Sequence, residues 1–296
     1  MVKKLVSLSL AIPLSFFIAS TFFSDARAGD AMKISVSLVP QKYFVERIGG
    51  DRVQVSVMVS PGANPATYEP KPQQMIQLTK SKGYFAIGVP FEKVWLSKFQ
   101  SANPKMALIH TDEDIKKIPM ETAHSHHDTP HQDKMMDPHV WLSPPLVVLQ
   151  ARKILDTLSR IDPSNKGTYE KNYKKFINDI VDLDLNLFDV FIQQIEKPHF
   201  MVYHPAWGYF AKAYGLKQIP IEIEGKEPTP KEMEAFVHQA NKLNIKVIFV
   251  QPQFSTKSAK TVADAVGAQI MFADPLAMDW TKNLLNIAET FKTVLR

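Results

Sequence analysis

The stretch Pro163-Ser-Asn-Lys-Gly-Thr-Tyr-Glu-Lys-Asn-Tyr-Lys-Lys-Phe-Ile-Asn-Asp-Ile-Val-Asp-Leu-Asp-Leu-Asn-Leu-Phe-Asp-Val-Phe-Ile-Gln-Gln-Ile-Glu-Lys197 decides how this chain is organised. After Pro163 it holds no further Pro, and its only Gly, Gly167, stands near the start. Apolar residues recur at Tyr169, Tyr173, Phe176, Ile180, Leu183, Leu187, Phe191 and Ile195, the three-four spacing of one helical face. The spacing predicts one helix of roughly 30 residues, about 45 Å long at 1.5 Å per residue. Such a helix can run the length of two lobes, and a rigid connector of that kind limits hinge motion.

Outward from it, both halves of the chain show the same rhythm. Upstream, Lys33 to Val39 and Val53 to Val59 alternate with period two and read as strands. Lys42 to Ile48 lies between them as a helix ended by Gly49-Gly50. Tyr84 to Ile87 and Met106 to Ile109 read as short buried strands, with helices over Pro72–Lys80 and Phe91–Phe99. Downstream, strands are expected at Phe200–Tyr203, Gln218–Ile221, Val247–Val250 and Gln269–Phe272. Helices at Pro205–Tyr214, Pro230–Leu243, Ser255–Val266 and Asp279–Leu295 lie between and after them. Strand–helix–strand alternation argues for mostly parallel sheets flanked by helices. The expectation is α/β: a first lobe over 29–160, a linking helix over 161–197 and a second lobe over 198–296, with no sequence repeat relating the lobes.

Residues 1–28 stand apart. Lys3 and Lys4 precede an apolar run from Leu5 to Phe23, and Ala26-Arg27-Ala28 has the small residues of a signal-peptidase site before Gly29. That is the pattern of a cleaved secretory signal, and it places the mature chain in the periplasm. The chain has no Cys, which removes thiol catalysis, thiolate metal sites, disulfides and a lipid-anchored mature N-terminus. Without the signal, 32 Lys+Arg face 29 Asp+Glu, a formal charge of +3. The basic residues are scattered rather than gathered with aromatics, so nucleic acid is not an expected partner.

Candidate chemistry falls in two groups. The tract Ala123–Asp137 is polar and His-rich, with His124, His126, His127 and His131 among Asp128, Asp133, Met135 and Met136. Neutral imidazoles in such density suit borderline metals, although a solvated loop reads the same way. Better placed are His139 in Asp137-Pro-His-Val-Trp-Leu-Ser-Pro144, His204 after Phe200-Met-Val-Tyr203, and Asp274 after Ile270-Met-Phe-Ala273. His204 and Asp274 each follow a strand, where open α/β sheets bind ligands. Singly, each has a plain alternative as a capping or turn residue. His and carboxylate donors without Cys suit zinc, manganese, nickel or copper. Glu222 and Glu224 stand where a carboxylate could orient an imidazole. His110, His199 and His238 read as structural, and Trp141 and Trp207 as cleft packing.

Several long motifs then occur in one order: Pro61-Gly-Ala-Asn-Pro-Ala-Thr-Tyr-Glu-Pro70, Gly88-Val-Pro-Phe-Glu92 with Trp95, Asp137-Pro-His-Val-Trp141, His204-Pro-Ala-Trp-Gly-Tyr-Phe210, Glu227-Pro-Thr-Pro230 and Asp274-Pro-Leu276. In these the chain resembles the metal-specific solute-binding proteins of ABC transporters, the zinc and manganese class of ZnuA/TroA type, over essentially its whole mature length. The resemblance implies two α/β lobes, one long linking helix and a metal cleft between the lobes. It implies His139 from the first lobe and His204 and Asp274 from the second as ligands of Zn2+, or of Mn2+, as transported cargo. Its zinc members often carry a His-rich loop where Ala123–Asp137 stands. It also implies an inner-membrane permease and its cytoplasmic ATPase as partners, and a monomeric receptor rather than an enzyme.

One position departs from the pattern. The resemblance implies a His where this chain has Ala66, and alanine cannot coordinate a metal. Three alternatives stay open: water fills a fourth position, a loop His such as His126 or His131 closes the site, or the chain has abandoned metal for another ligand. Two other functions stay open on sequence alone: a zinc hydrolase using a metal-activated water, and an adhesion or metal-buffering protein without a transporter.

Overall fold

The computed structural model describes residues 31–121, 135–192, 198–223 and 226–295. The signal-like segment, the His residues of the Ala123–Lys134 tract and Glu224 lie outside the described residues. Strands β1 (Met32–Val36), β2 (Val53–Val57), β3 (Gly83–Ala86) and β4 (Ala107–His110) form one sheet. Their order is β2-β1-β3-β4, all parallel. Strands β5 (His199–Val202), β6 (Lys217–Pro220), β7 (Val247–Val250) and β8 (Gln269–Phe272) form a second. Its order, β6-β5-β7-β8, is also all parallel, so the lobes share one topology.

Helices α1 (Val39–Gly49), α2 (Pro72–Leu78) and α3 (Glu92–Ala102) belong to the first lobe. Helix α4 (Pro144–Ile161) follows the His-rich tract, and the double Pro at its first turn suits that position because those amides have no helical partner. Helices α6 (Gly208–Ala213), α7 (Pro230–Lys242), α8 (Lys257–Val266) and α9 (Trp280–Val294) complete the second lobe. Thr229 and Glu232 cap α7 reciprocally: Thr229 N–H donates to Glu232 Oε2 at 2.7 Å, and Glu232 N–H to Thr229 Oγ1 at 3.4 Å. Gly267, at φ 66°, ends α8 in the left-handed conformation.

The linking helix is α5, Lys166–Ile192, 27 residues that run unbroken through Asp182 and Asp184. It starts later than the sequence spacing suggests, because Pro163–Asn165 forms a separate 3-10 turn after α4. Asp162 holds that turn, accepting from Asn165 Nδ2 at 2.8 Å and from the Tyr169 hydroxyl at 2.6 Å. The expected end at Lys197 lies outside the described residues.

Helix α5 touches both lobes. Phe176 packs on Phe44 of α1 at 5.9 Å, and Arg47 pairs with Asp179. Further along, Phe191 stacks on Tyr214 at 5.5 Å, and the Tyr214 hydroxyl donates to Asp184 at 2.7 Å. Trp280 of α9 stands edge-on to Phe44 at 5.1 Å. One apolar core therefore runs from the first lobe through α5 and α9 to one face of the second sheet, at Phe200, Val202 and Phe249. The other face, with Met201, Ile248 and Val250, packs a separate core against α7 and α8. Strands apolar on both faces are what a parallel sheet covered on both sides requires.

Candidate metal centre

In an open α/β sheet, the crevice lies outside the strand C-termini where strand order reverses. In the second lobe that place is between β5 and β7. His204 leaves β5 two residues after Val202, and Gln251 leaves β7 directly after Val250. The buried Gln251 amide clamps the His204 backbone from both sides. Its Oε1 accepts from His204 N–H at 3.1 Å, and its Nε2 donates to His204 O at 2.8 Å. Phe254 stacks on the imidazole at 4.5 Å and 21°. The buried Glu222 carboxylate sits 2.7 Å from His204 Nδ1.

His139 arrives from the first lobe, just before the 3-10 turn Val140–Leu142. Asp137, 1% exposed, accepts at one oxygen from both His139 N–H at 2.8 Å and His139 Nδ1 at 2.7 Å. The Tyr209 hydroxyl of α6 donates to Asp137 O at 2.9 Å and accepts from Ile118 N–H at 3.1 Å. Gly208 permits this seating, since a Cβ there would stand 2.8 Å from Asp137 Oδ2. The Asp137–His139 segment of the first lobe is thus fastened to the second lobe.

These contacts select a tautomer. A carboxylate only accepts, so in a neutral ring the proton sits on Nδ1 and Nε2 keeps its lone pair. The two Nε2 atoms face each other at 3.3 Å. Burial lowers the His204 pKa, the Glu222 bond opposing and His139 reinforcing that shift, which favours a neutral ring. Two lone pairs cannot satisfy one another, but one cation satisfies both. Nitrogens bound at about 2.05 Å to a tetrahedral zinc stand about 3.3 Å apart, so the donor pair fits that ion.

Asp274 follows β8, where its Oδ1 accepts from Gln253 Nε2 at 2.8 Å and from Leu276 N–H at 2.9 Å. Its segment lies against that of His139: Trp141 Nε1 donates to Pro275 O at 2.7 Å, and Trp280 Nε1 to Trp141 O at 2.8 Å. Among the described residues, no three His, Asp or Glu side chains form a group that could hold a metal ion. The structure brings His139 and His204 together and leaves the Asp274 carboxylate on its own two donors. Ala66 lies in an exposed turn, its N–H on Asn64 Oδ1 at 2.8 Å, and Glu69 is exposed. His126 and His131 lie outside the described residues. The segments bracketing them are clamped beside His139, Met120 N–H donating to Met135 O and Asp137 N–H to Ile118 O, each at 2.8 Å.

Glu222 stands where the sequence places an imidazole partner. The roles of Asp137, Gln251, Gln253 and Phe254 are new. Their one advance signal is the polar Gln251-Pro-Gln253 run directly after an apolar strand.

Two parallel α/β lobes on one long helix, with an imidazole from each meeting between them, define a two-lobed solute-binding protein. The chain belongs to the ZnuA family, the periplasmic component A of zinc-uptake complexes, whose model matches residues 34–294. It is 30% identical over 258 residues to the high-affinity zinc uptake system protein ZnuA of Bacillus subtilis, covering 85% of this chain and 80% of that one. A crystal structure of ZnuA is similar with a TM-score of 0.84 and 41% identity, over 90% of this chain and 100% of the other. The zinc-binding protein AdcA of Streptococcus pyogenes is 25% identical over 312 residues, and this chain spans 60% of its length.

Proposed function

We propose that this chain is a periplasmic receptor that captures Zn2+ between its lobes and delivers it to an inner-membrane ABC permease driven by a cytoplasmic ATPase. The carrying observation is the pair of Nε2 atoms 3.3 Å apart, each ring oriented by its own carboxylate. His139 and His204 hold the ion, Asp274 supplies an oxygen, and water or a loop His, His126 or His131, completes four positions. Nitrogen-rich, four-coordinate sites suit zinc, whereas manganese prefers more oxygens and a higher coordination number. The receptor works as a monomer, with the outer faces of both lobes meeting the permease.

Binding rather than hydrolysis is supported by the same contacts. The carboxylates beside the imidazoles, Asp137 and Glu222, sit on the Nδ1 atoms, behind the donors. From there neither can take a proton from a water on the ion's open side.

The test is growth of a zinc-limited bacterium that lacks its own zinc receptor but keeps a matching permease and ATPase. The wild-type chain should restore growth, and His139→Ala and His204→Ala should not. Full rescue by both variants would overturn the proposal.

A further inference from the structure

Manganese shares with zinc a taste for His and carboxylate, so a zinc receptor needs a means of telling the two ions apart. The contacts around Asp274 bear on this. Its Oδ1 accepts two hydrogen bonds, from Gln253 Nε2 at 2.8 Å and from Leu276 N–H at 2.9 Å. Two donors occupy the lone pairs of that oxygen, and Oδ2 is left without a hydrogen-bond donor among the described residues. A carboxylate so held can offer a metal one oxygen but not two. One-oxygen binding suits four-coordinate zinc, whereas ions that favour five or six ligands draw on both oxygens.

The Gln253 amide is held to this task at a cost. Its Oε1 is buried and has no hydrogen-bond donor among the described residues, while its Nε2 stays on Asp274. A buried acceptor left unpaired is uncommon enough in folded proteins to call for a reason. The backbone places Gln253 well for it: Gln251, two residues earlier, clamps His204, and Phe254, one later, stacks on the His204 ring. One four-residue turn after β7 therefore orients both second-lobe donors.

We propose that Gln253 is a specificity-determining positioning residue, which holds Asp274 as a one-oxygen ligand and thereby favours zinc over manganese. The inference rests on the zinc-receptor reading and deepens it. It also gives Ala66 a meaning: a site lacking the fourth side chain gains selectivity from restraint of the ligands it keeps.

The test compares the wild-type chain with Gln253→Met, which keeps the length and loses the donor, and Gln253→Glu, which replaces the donor with an acceptor. Zinc and manganese affinities are measured by competition, and cobalt is substituted as a spectroscopic probe. Removing an outer hydrogen bond to a ligand changes metal affinity by 10–100-fold. Both variants should bind zinc while their zinc-to-manganese preference falls by roughly tenfold or more. Their cobalt spectra should lose the intense visible bands of a four-coordinate ion. A wild-type preference and cobalt spectrum in Gln253→Met would overturn this inference and leave the receptor intact. Failure of the wild-type chain to bind one zinc in a His204-dependent way would overturn the site itself, and this inference with it.

Discussion

The two lobes have the same strand order and the same crevice, and they use it in opposite ways. In the first lobe the order reverses between β1 and β3, and a side chain of the lobe itself fills the crevice. The Glu92 carboxylate, 2% exposed, accepts from Ser37 Oγ at 2.5 Å, Ile87 N–H at 3.0 Å and Gly88 N–H at 2.8 Å. Gly88, at φ 86°, turns the chain through a left-handed conformation that strains other residues, so that its amide faces that carboxylate. In the second lobe the reversal between β5 and β7 presents His204 outward, with Gln251 and Phe254 behind it. A shared topology therefore fixes where a ligand crevice forms, and the side chains decide whether it is open. With its own crevice closed, the first lobe's proposed ligand, His139, comes from outside its sheet, on the Asp137–His139 segment tied to α6.

The contrast predicts that damage to the first crevice registers in stability and damage to the second in binding. Glu92→Ala strands two buried donors, Ser37 Oγ and Ile87 N–H, and the half-buried Gly88 N–H, at about 1–3 kcal/mol for each buried one, so denaturant melts should show a loss of about 3–5 kcal/mol. Zinc affinity of the folded variant should stay within about threefold of wild type, since additivity holds for separate networks. A large affinity loss at full stability would break the comparison.

Glu92 also predicts a pH dependence. Burial pushes its carboxyl up from 4.5 to about 7, against the opposing hydrogen bonds from Ser37, Ile87 and Gly88. A folded pKa above the unfolded one means the native state holds the proton more tightly. Its contribution is complete below pH 4.5 and is lost as pH rises through about 7. The shift corresponds to roughly 3 kcal/mol. Melting of metal-free protein from about pH 5 to about pH 8 should show this decline, and Glu92→Gln should flatten it.

The second crevice should respond in the other currency. His204→Ala removes a donor and should weaken zinc binding at least roughly 100-fold, about 2.7 kcal/mol, with little change in the melting of the metal-free protein. Glu222→Gln keeps the size of the group but weakens its hold on the imidazole. Calorimetry should show a loss of roughly tenfold in zinc affinity, about 1.4 kcal/mol.

Much of this was legible in the sequence, and the remainder divides by a physical reason. Period-two runs such as Val53–Val57 and the three-four spacing of Tyr169 to Phe191 encode their elements locally, so the strands, helices and linking helix could be read directly. The position of His204 after a strand was readable for the same reason. What stayed hidden was contact across sequence distance. Ser37 meets Glu92 over 55 residues and Gln253 meets Asp274 over 21, and no periodicity records either. The pairing within Asp137-Pro-His139 of an imidazole and the carboxylate that orients it was also hidden, because the same three residues serve as an ordinary turn.

The central claim is that His139 and His204 form one zinc site despite Ala66. The direct measurement is a calorimetric zinc titration of the chelator-stripped chain starting at Gly29, with manganese as competitor, repeated after deletion of Ala123–Lys134. One tight zinc equivalent that manganese cannot displace, surviving the deletion with at most a change in affinity, is the predicted result. Weak binding of several zinc ions that vanishes with the deletion would place the metal on the His-rich tract and contradict the account.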